Sequence, residues 1–434
     1  MREDLLPRWD IYEEHLDEAS FLWMRWERCL LAPHYDLSET AELEERLLAH
    51  LAALAEPGGA IAKRLLWPAL ESDEPSRQCA AAYALLASGG EQALDPLLRL
   101  IEADLPGLAA AAQRAMELGP WPGCTERLQV LADHPSPALK ALALEALAFH
   151  GLTPAGGLAT HLEHEDARVR RAGLRCARFL PPESLPTGLL RLALASDDAA
   201  LRMAAIEVGL QHGWRAAWAS CREVAHGPGM RAEAWVLLAL GGSDEELRWL
   251  VERLGDVKHQ APALWALGFS GSPSAAAACL ALLREKPPVP ALAAEAFSAI
   301  TGLPIQGRYS TKPPEESVQE DVLDADLTPK PEDELPLPAP DALMSWWQEA
   351  QARFDPAQRY LFGRPLESDV LMDALTRASM RRRPVLALEL ALRGRGAPFL
   401  QTRAFTRRQR SELHRLHSAR PALSLLPFAR SHTR

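Results

Sequence analysis

The 434-residue chain has few of the marks that announce chemistry. No GxGxxG opens a helix after a strand, and no GxxxxGK is followed by Ser or Thr, so nucleotide-cradling loops are not indicated. HExxH and the GxSxG elbow are both missing, which removes the two commonest hydrolase signatures. There is no CxxC. The six cysteines, Cys29, Cys79, Cys124, Cys176, Cys221 and Cys279, stand 45 to 58 residues apart. That spacing predicts buried thiols in a reducing compartment, with no disulfide framework and no zinc site. No stretch of 18 uncharged apolar residues occurs, so no membrane span is predicted. The opening, MREDLLPRWD, has no apolar run after its basic start, so no secretory signal is predicted and the expected location is cytoplasmic. No cofactor and no metal are expected.

What is present is apolar and unevenly charged. Hydrophobic residues make up 48%, which excludes wholesale disorder. The net charge is −11, yet the stretch from Thr376 to Arg434 holds 14 arginines against only Glu389 and Glu412. The preceding 375 residues therefore carry −23 and that tail +12. An acidic body with an arginine tail suits a protein partner better than a nucleic-acid groove.

The chain also repeats itself. DHPSPALKALALEALAFHG (Asp133–Gly151) overlies SDDAALRMAAIEVGLQHG (Ser196–Gly213) at an offset of 62 residues, two periods of 31. Glycines at helix-ending positions, Gly89, Gly119, Gly151, Gly213, Gly242, Gly271 and Gly302, keep near that period, with Pro181-Pro182 standing in once. Proline, Asp and Ser clusters divide each unit into two helices, and strand-type alternation is nearly absent. A single Ala-rich hairpin cannot bury its own apolar face, so neighbours must cover it. The expected fold is all-α: a right-handed α-solenoid of about eight helix pairs over 58–302. A helical N-terminal cap (1–57) uses Phe21, Trp23 and Trp26. An acidic, proline-rich linker spans 303–340, and a basic helical C-terminal module spans 341–434.

Segments such as SDEPSRQCAAAYALLASG, HEDARVRRAGLRCARFL and AEAFSAITGL resemble HEAT-like repeats of the phycobilisome-lyase type. The order FLWMRWERCL, YDL, LEERLLAHLAAL, repeats closed by FSAITGL, then WW, RYLFGRP, RRRPVLALELAL and TRAF is similar to an uncharacterised bacterial HEAT-repeat family. Its members are often encoded near type VI secretion genes. The resemblance implies a non-enzymatic adaptor or chaperone for a secretion effector or spike component. A HEAT-like glycosylase acting on nucleic acid, a bilin-type lyase and a toxin immunity protein remain as alternatives.

Candidate contact residues follow from side-chain type. Trp235, Trp265, Arg171 and Arg175 fall on second helices, which line the inner side of HEAT-like stacks. Aromatic anchors beside arginines suit a hot spot. Trp214, Trp218 and Trp249 fall on first helices and are expected in the core or on the outer side. Trp346 and Trp347 are adjacent, so one helix cannot point both into a narrow stripe. Arg381, Arg382 and Arg383, with the group Arg403, Arg407, Arg408 and Arg410, are expected to hold a nucleic acid or an acidic protein, or to fold back on the chain's own acidic linker. His161 and His164, in HLEHED, are expected in a polar turn, and Cys221 near His226 in core.

Overall fold

The structure, a computed structural model, describes residues 8–56, 59–103, 105–119, 121–227, 229, 231–312 and 329–432. Gly58 and residues 313–328 of the expected linker lie outside the described residues. Within them the protein is all-α except for one small hairpin, β1 (Tyr360–Leu361) against β2 (Arg364–Pro365).

Helices α1 (Trp9–Cys29) and α2 (Leu37–Ala55) come first. Between 59 and 301 the helices follow as eight consecutive couples. The opening one is α3 (Gly59–Ile61), a π-helical stretch Ala62–Leu66 and α4 (Trp67–Ala69), followed by α5 (Pro75–Gly89). Next are α6 (Glu91–Glu102) with α7 (Leu108–Leu118), α8 (Cys124–Ala132) with α9 (Pro137–Phe149), and α10 (Ala159–Leu162) with α11 (Ala167–Ala177). The remaining four are α12 (Thr187–Leu194) with α13 (Ala199–Gln211), α14 (Arg215–His226) with α15 (Ala232–Gly241), α16 (Asp244–Glu252) with α17 (Gln260–Leu267), and α18 (Pro273–Leu280) with α19 (Val289–Thr301). After them stand α20 (Pro340–Ala350), α21 (Ser368–Arg377), α22 (Arg383–Arg393), α23 (Thr406–Ala419) and α24 (Phe428–Ser431).

Local chemistry sets these boundaries. Pro75, Pro137 and Pro273 sit in the first helical turn, where the missing N–H costs nothing. Asp166 caps α11 by accepting from Arg168 N, and Ser243 with Glu246 forms a capping box on α16. Gly302 ends α19 at φ +76°, its N–H bonded to Ser298 O; an L side chain is disfavoured there.

The chain forms two compact units. One comprises Met1–Leu30, Leu37–Val208 and Gln401–Ser411; the other comprises Leu31–Asp36, Gly209–Leu400 and Glu412–Arg434. In the first, α1 packs on α2 and α5, and α5, α7, α9 and α11 pack on one another in succession. In the second, α15, α17 and α19 do the same. Alanines recur among the buried residues of these helices: Ala80, Ala81, Ala82, Ala112 and Ala115 in the first unit, and Ala263, Ala266, Ala293 and Ala294 in the second. Small side chains let the backbones approach closely enough for dispersion contacts along the whole helix. The unit boundaries cut across the segments expected from sequence, because the C-terminal residues are shared out between the two units.

Candidate partner-binding surfaces

In the first unit, α1 presents two opposed stripes. Leu16, Ala19, Trp23, Trp26 and Cys29 are buried, whereas Asp17, Phe21, Met24 and Arg28 face out. Phe21 is 48% exposed and Met24 37%. Phe21 therefore does not act as a cap with Trp23 and Trp26, because it sits on the opposite stripe. These two apolar side chains stand over a groove of about 1180 Å³ that α1 forms with the start of α5 and with Ala110, Ala111 and Arg114 of α7. Arg77 pairs with Asp17 at its edge. Arg114 is fixed in the floor: Nε donates to Glu27 Oε1 at 2.5 Å and an amino group to Glu117 Oε2 at 3.1 Å, with Cζ 5.1 Å from the Trp26 ring. Cys79 also lines the groove, and burial pushes its thiol up to about 12, so no thiolate forms at neutral pH. The groove therefore offers apolar contact and shape, and no cysteine nucleophile.

The same unit holds the segment Gln401–Ser411. Thr406 N donates to both oxygens of buried Glu44 at 2.8 and 2.9 Å, and Thr406 Oγ1 donates at 2.8 Å. Trp26 Nε1 reaches the same carboxylate at 3.1 Å. Burial raises the Glu44 pKa, while the bonds from Thr406 and Trp26 oppose the rise. Phe405 lies 5.0 Å from the Trp26 ring, and Arg408 donates to Phe149 O at 2.9 Å. That carbonyl belongs to the last turn of α9, where the helix has no internal donor to offer.

In the second unit the same device recurs. Arg359 bridges two helix ends, donating to Leu240 O at 2.8 Å, Phe269 O at 2.9 Å and Ser270 O at 2.6 Å. Arg393 reaches Leu240 O at 2.6 Å, Arg382 reaches Gly268 O at 2.6 Å, and Arg383 reaches Leu375 O at 2.8 Å. The hairpin closes α19: Phe362 N donates to Ala299 O at 2.8 Å and Gly363 N to Ile300 O at 2.9 Å. His432 Nε2 donates to Leu210 O, at the end of α13, at 2.8 Å. Helix C-termini carry orphan carbonyls and the negative end of the macrodipole, so guanidinium groups suit them. Burial nevertheless costs charge, and Arg359, Arg382 and Arg383 are each pushed down to about 10.

This arrangement relocates several expected contact residues. Trp235 is 1% exposed, and its indole donates to Ala225 O at 3.0 Å; it is core, because α15 is covered on every side. Arg382 and Arg383 are buried and committed to helix carbonyls. Trp265 is half-buried beneath Arg381, whose Cζ lies 4.5 Å from the ring. Arg381 also pairs with Glu295 and with Glu332 from the flank of the acidic segment, each at 3.2 Å. Trp347 is buried and Trp346 half-buried, both edge-on to Phe297 at 5.6 and 5.9 Å. None of Trp235, Trp347, Arg382 and Arg383 presents its side chain to a partner in this fold. On α11, Arg175 stays exposed and pairs with Glu145 at 2.5 Å, while Arg171 is half-buried. Trp214 and Trp218 are buried, and Trp249 packs edge-on to Trp235 at 5.4 Å. His164 Nδ1 accepts from Asp166 N at 3.0 Å and stands in the expected polar turn, whereas His161 lies in α10 and is buried, because it falls on that helix's inner side. Cys221 is buried, and His226 packs on Trp249 at 4.2 Å.

Among the described residues no group of three or more His, Cys, Asp or Glu side chains is arranged to hold a metal ion. No helix among them is long and apolar enough to cross a membrane. No protein-family model and no curated protein matches the chain.

By residue type alone Phe21 groups with Trp23 and Trp26, and nothing marks Met24 as exposed. Helical spacing separates the two sets: Asp17, Phe21, Met24 and Arg28 recur at four, three and four residues, as one stripe must.

Proposed function

We propose that the chain is a helical-repeat scaffold, an α-solenoid of HEAT-like pairs, that binds another protein without catalysing a reaction. The observation that carries this reading is the first unit's groove with Phe21 and Met24 exposed over it. Large apolar side chains left in water beside a concavity mark an interaction site more often than a structural accident. An amphipathic helix laid along the groove would bury both. The resemblance to the bacterial HEAT-repeat family supports a secretion effector or spike component as partner, and an adaptor or chaperone role for this chain. The first 375 residues carry −23, which favours protein binding over the glycosylase alternative, because nucleic-acid affinity rests on neutralising phosphates.

The test is capture from the native host followed by mass spectrometry, using the full chain and a Phe21→Asp/Met24→Asp variant. A partner retained by the parent and lost by the variant, with the helical circular dichroism signal unchanged, supports the reading. Equal retention by both overturns the groove as the binding surface.

A further inference from the structure

The second unit contains a smaller concavity of about 430 Å³, bounded by α19, the β1–β2 hairpin and α21. Its floor is apolar, built from Ala299, Leu361, Val370 and Ala374 among others. Its rim is charged, and most of those charges are matched. Glu295 is held by Arg381 at 3.2 Å and faces Arg382 at 3.7 Å. Asp373 accepts from Arg364 at 2.8 Å; that hydrogen bond holds its carboxyl below the usual range, with the charge of Arg377 adding to the effect. Arg377 itself is exposed and forms no ion pair of its own among the described residues. The cleft thus offers an apolar floor and one surplus cation at its edge.

Those features select a ligand. The floor requires an apolar group, and the surplus guanidinium requires a single anionic group suited to bidentate contact. A volume near 430 Å³ takes two or three side chains, not the face of a folded domain. Ser298 and Ser379 line the same space, and a serine hydroxyl turned into it would suit the backbone amide of a peptide. A simple fatty or aromatic acid would leave them unused. We propose that this cleft captures the free, apolar C-terminus of a partner polypeptide, with the terminal carboxylate on Arg377 and the last side chain on the Leu361–Ala374 floor. The proposal rests on the reading that the chain binds protein, but it concerns a different surface from the groove beneath Phe21.

The test uses the full chain and a labelled pool of N-acetylated hexapeptides whose last two positions are drawn from Leu, Ile, Val and Phe. Saturable binding of the free-acid pool is expected, weakened about tenfold when the same pool is amidated at its C-terminus, as loss of one charge-assisted contact implies. Arg377→Ala should weaken the free-acid pool by a similar factor, while Arg99→Ala, an exposed change in the other unit, should not. Because Arg377 is exposed, its variant should keep the parent's helical signal; Ala374→Trp, which fills the floor, supplies a second block by bulk alone. Equal binding of the acid and amide pools, or no binding of either, overturns the proposal. So does octanoate competing as well as the peptides, which would make the cleft a site for small carboxylic acids. If partner capture through Phe21 and Met24 persists while the peptide pool fails, the cleft proposal falls and the protein-binding reading stands.

Discussion

Replacing Arg359 with Met should loosen the second unit more than any single exposed substitution. The side chain is half-buried, and its guanidinium holds three carbonyls from the ends of α15 and α17 at 2.6 to 2.9 Å while facing Glu389 at 3.3 Å. Hydrogen bonds to charged groups contribute about 1.5–3 kcal/mol each, so three of them set a large gross loss. Removing the guanidinium also relieves its own desolvation, which costs several kcal/mol. Glu389 keeps Arg393 at 2.7 Å, so no carboxylate is left bare. The net loss is therefore estimated at about 2–4 kcal/mol, less than the sum of the three bonds. Met preserves the length of the apolar stem, so packing changes little. Arg359→Lys should recover only part of the loss, because one ammonium cannot span carbonyls on two helices in a fixed fork. Urea unfolding followed at 222 nm reads the difference. A loss below about 1 kcal/mol for Arg359→Met would mean that water satisfies these helix ends equally well, and the capping argument would fail.

Two further outcomes follow from buried titratable groups. Burial pushes His432 down to about 4 from its ordinary 6.5, so the unfolded chain takes up the proton first; stability present above pH 6.5 should be lost as pH falls towards 4, by up to about 3 kcal/mol, and His432→Gln should flatten that profile in pH-dependent urea unfolding. In the first unit, Glu44→Gln should cost about 1–3 kcal/mol at pH 7, since the amide nitrogen would face the Thr406 N–H in either orientation, and the Trp26 N–H as well in one of them; an unchanged urea midpoint would show that the Thr406 segment docks without this carboxylate.

The helix couples were legible because their punctuation is local. Gly151, Gly213, Gly271 and Gly302 all adopt positive φ, and the prolines at 75, 137 and 273 all open helices, so residue type alone signals both ends. Trp235 was misplaced although a signal existed. Its helix, AEAWVLLALG, has no polar residue after Glu233, so no face was free to be an outer one. The destination of the tail arginines was illegible for a different reason. Arg382, Arg383, Arg393 and Arg408 end on main-chain carbonyls, which every helix end supplies whatever its sequence. Side-chain charge complementarity pointed to the acidic segment, and only Arg381 among the three consecutive arginines reaches it, through Glu332.

The same physics bears on how a partner would be held. A tail with 14 arginines looks like a device for attracting acid, and a free one would make binding steeply dependent on salt. In the fold, Arg382, Arg383 and Arg393 are buried, and Arg382, Arg383, Arg393 and Arg408 donate to helix carbonyls. Charges held in this way are poorly placed to meet a partner's carboxylates. The groove exposes Phe21 and Met24 beside charged groups that include Arg403, and the apolar share of its burial is not weakened by salt. Raising sodium chloride from about 0.05 to 0.5 M shrinks the screening length roughly threefold, yet retention of the captured partner should change by no more than about twofold. A loss of tenfold or more would place the binding energy in ion pairs, and the tail arginines, not the Phe21 stripe, would then be the surface to mutate next.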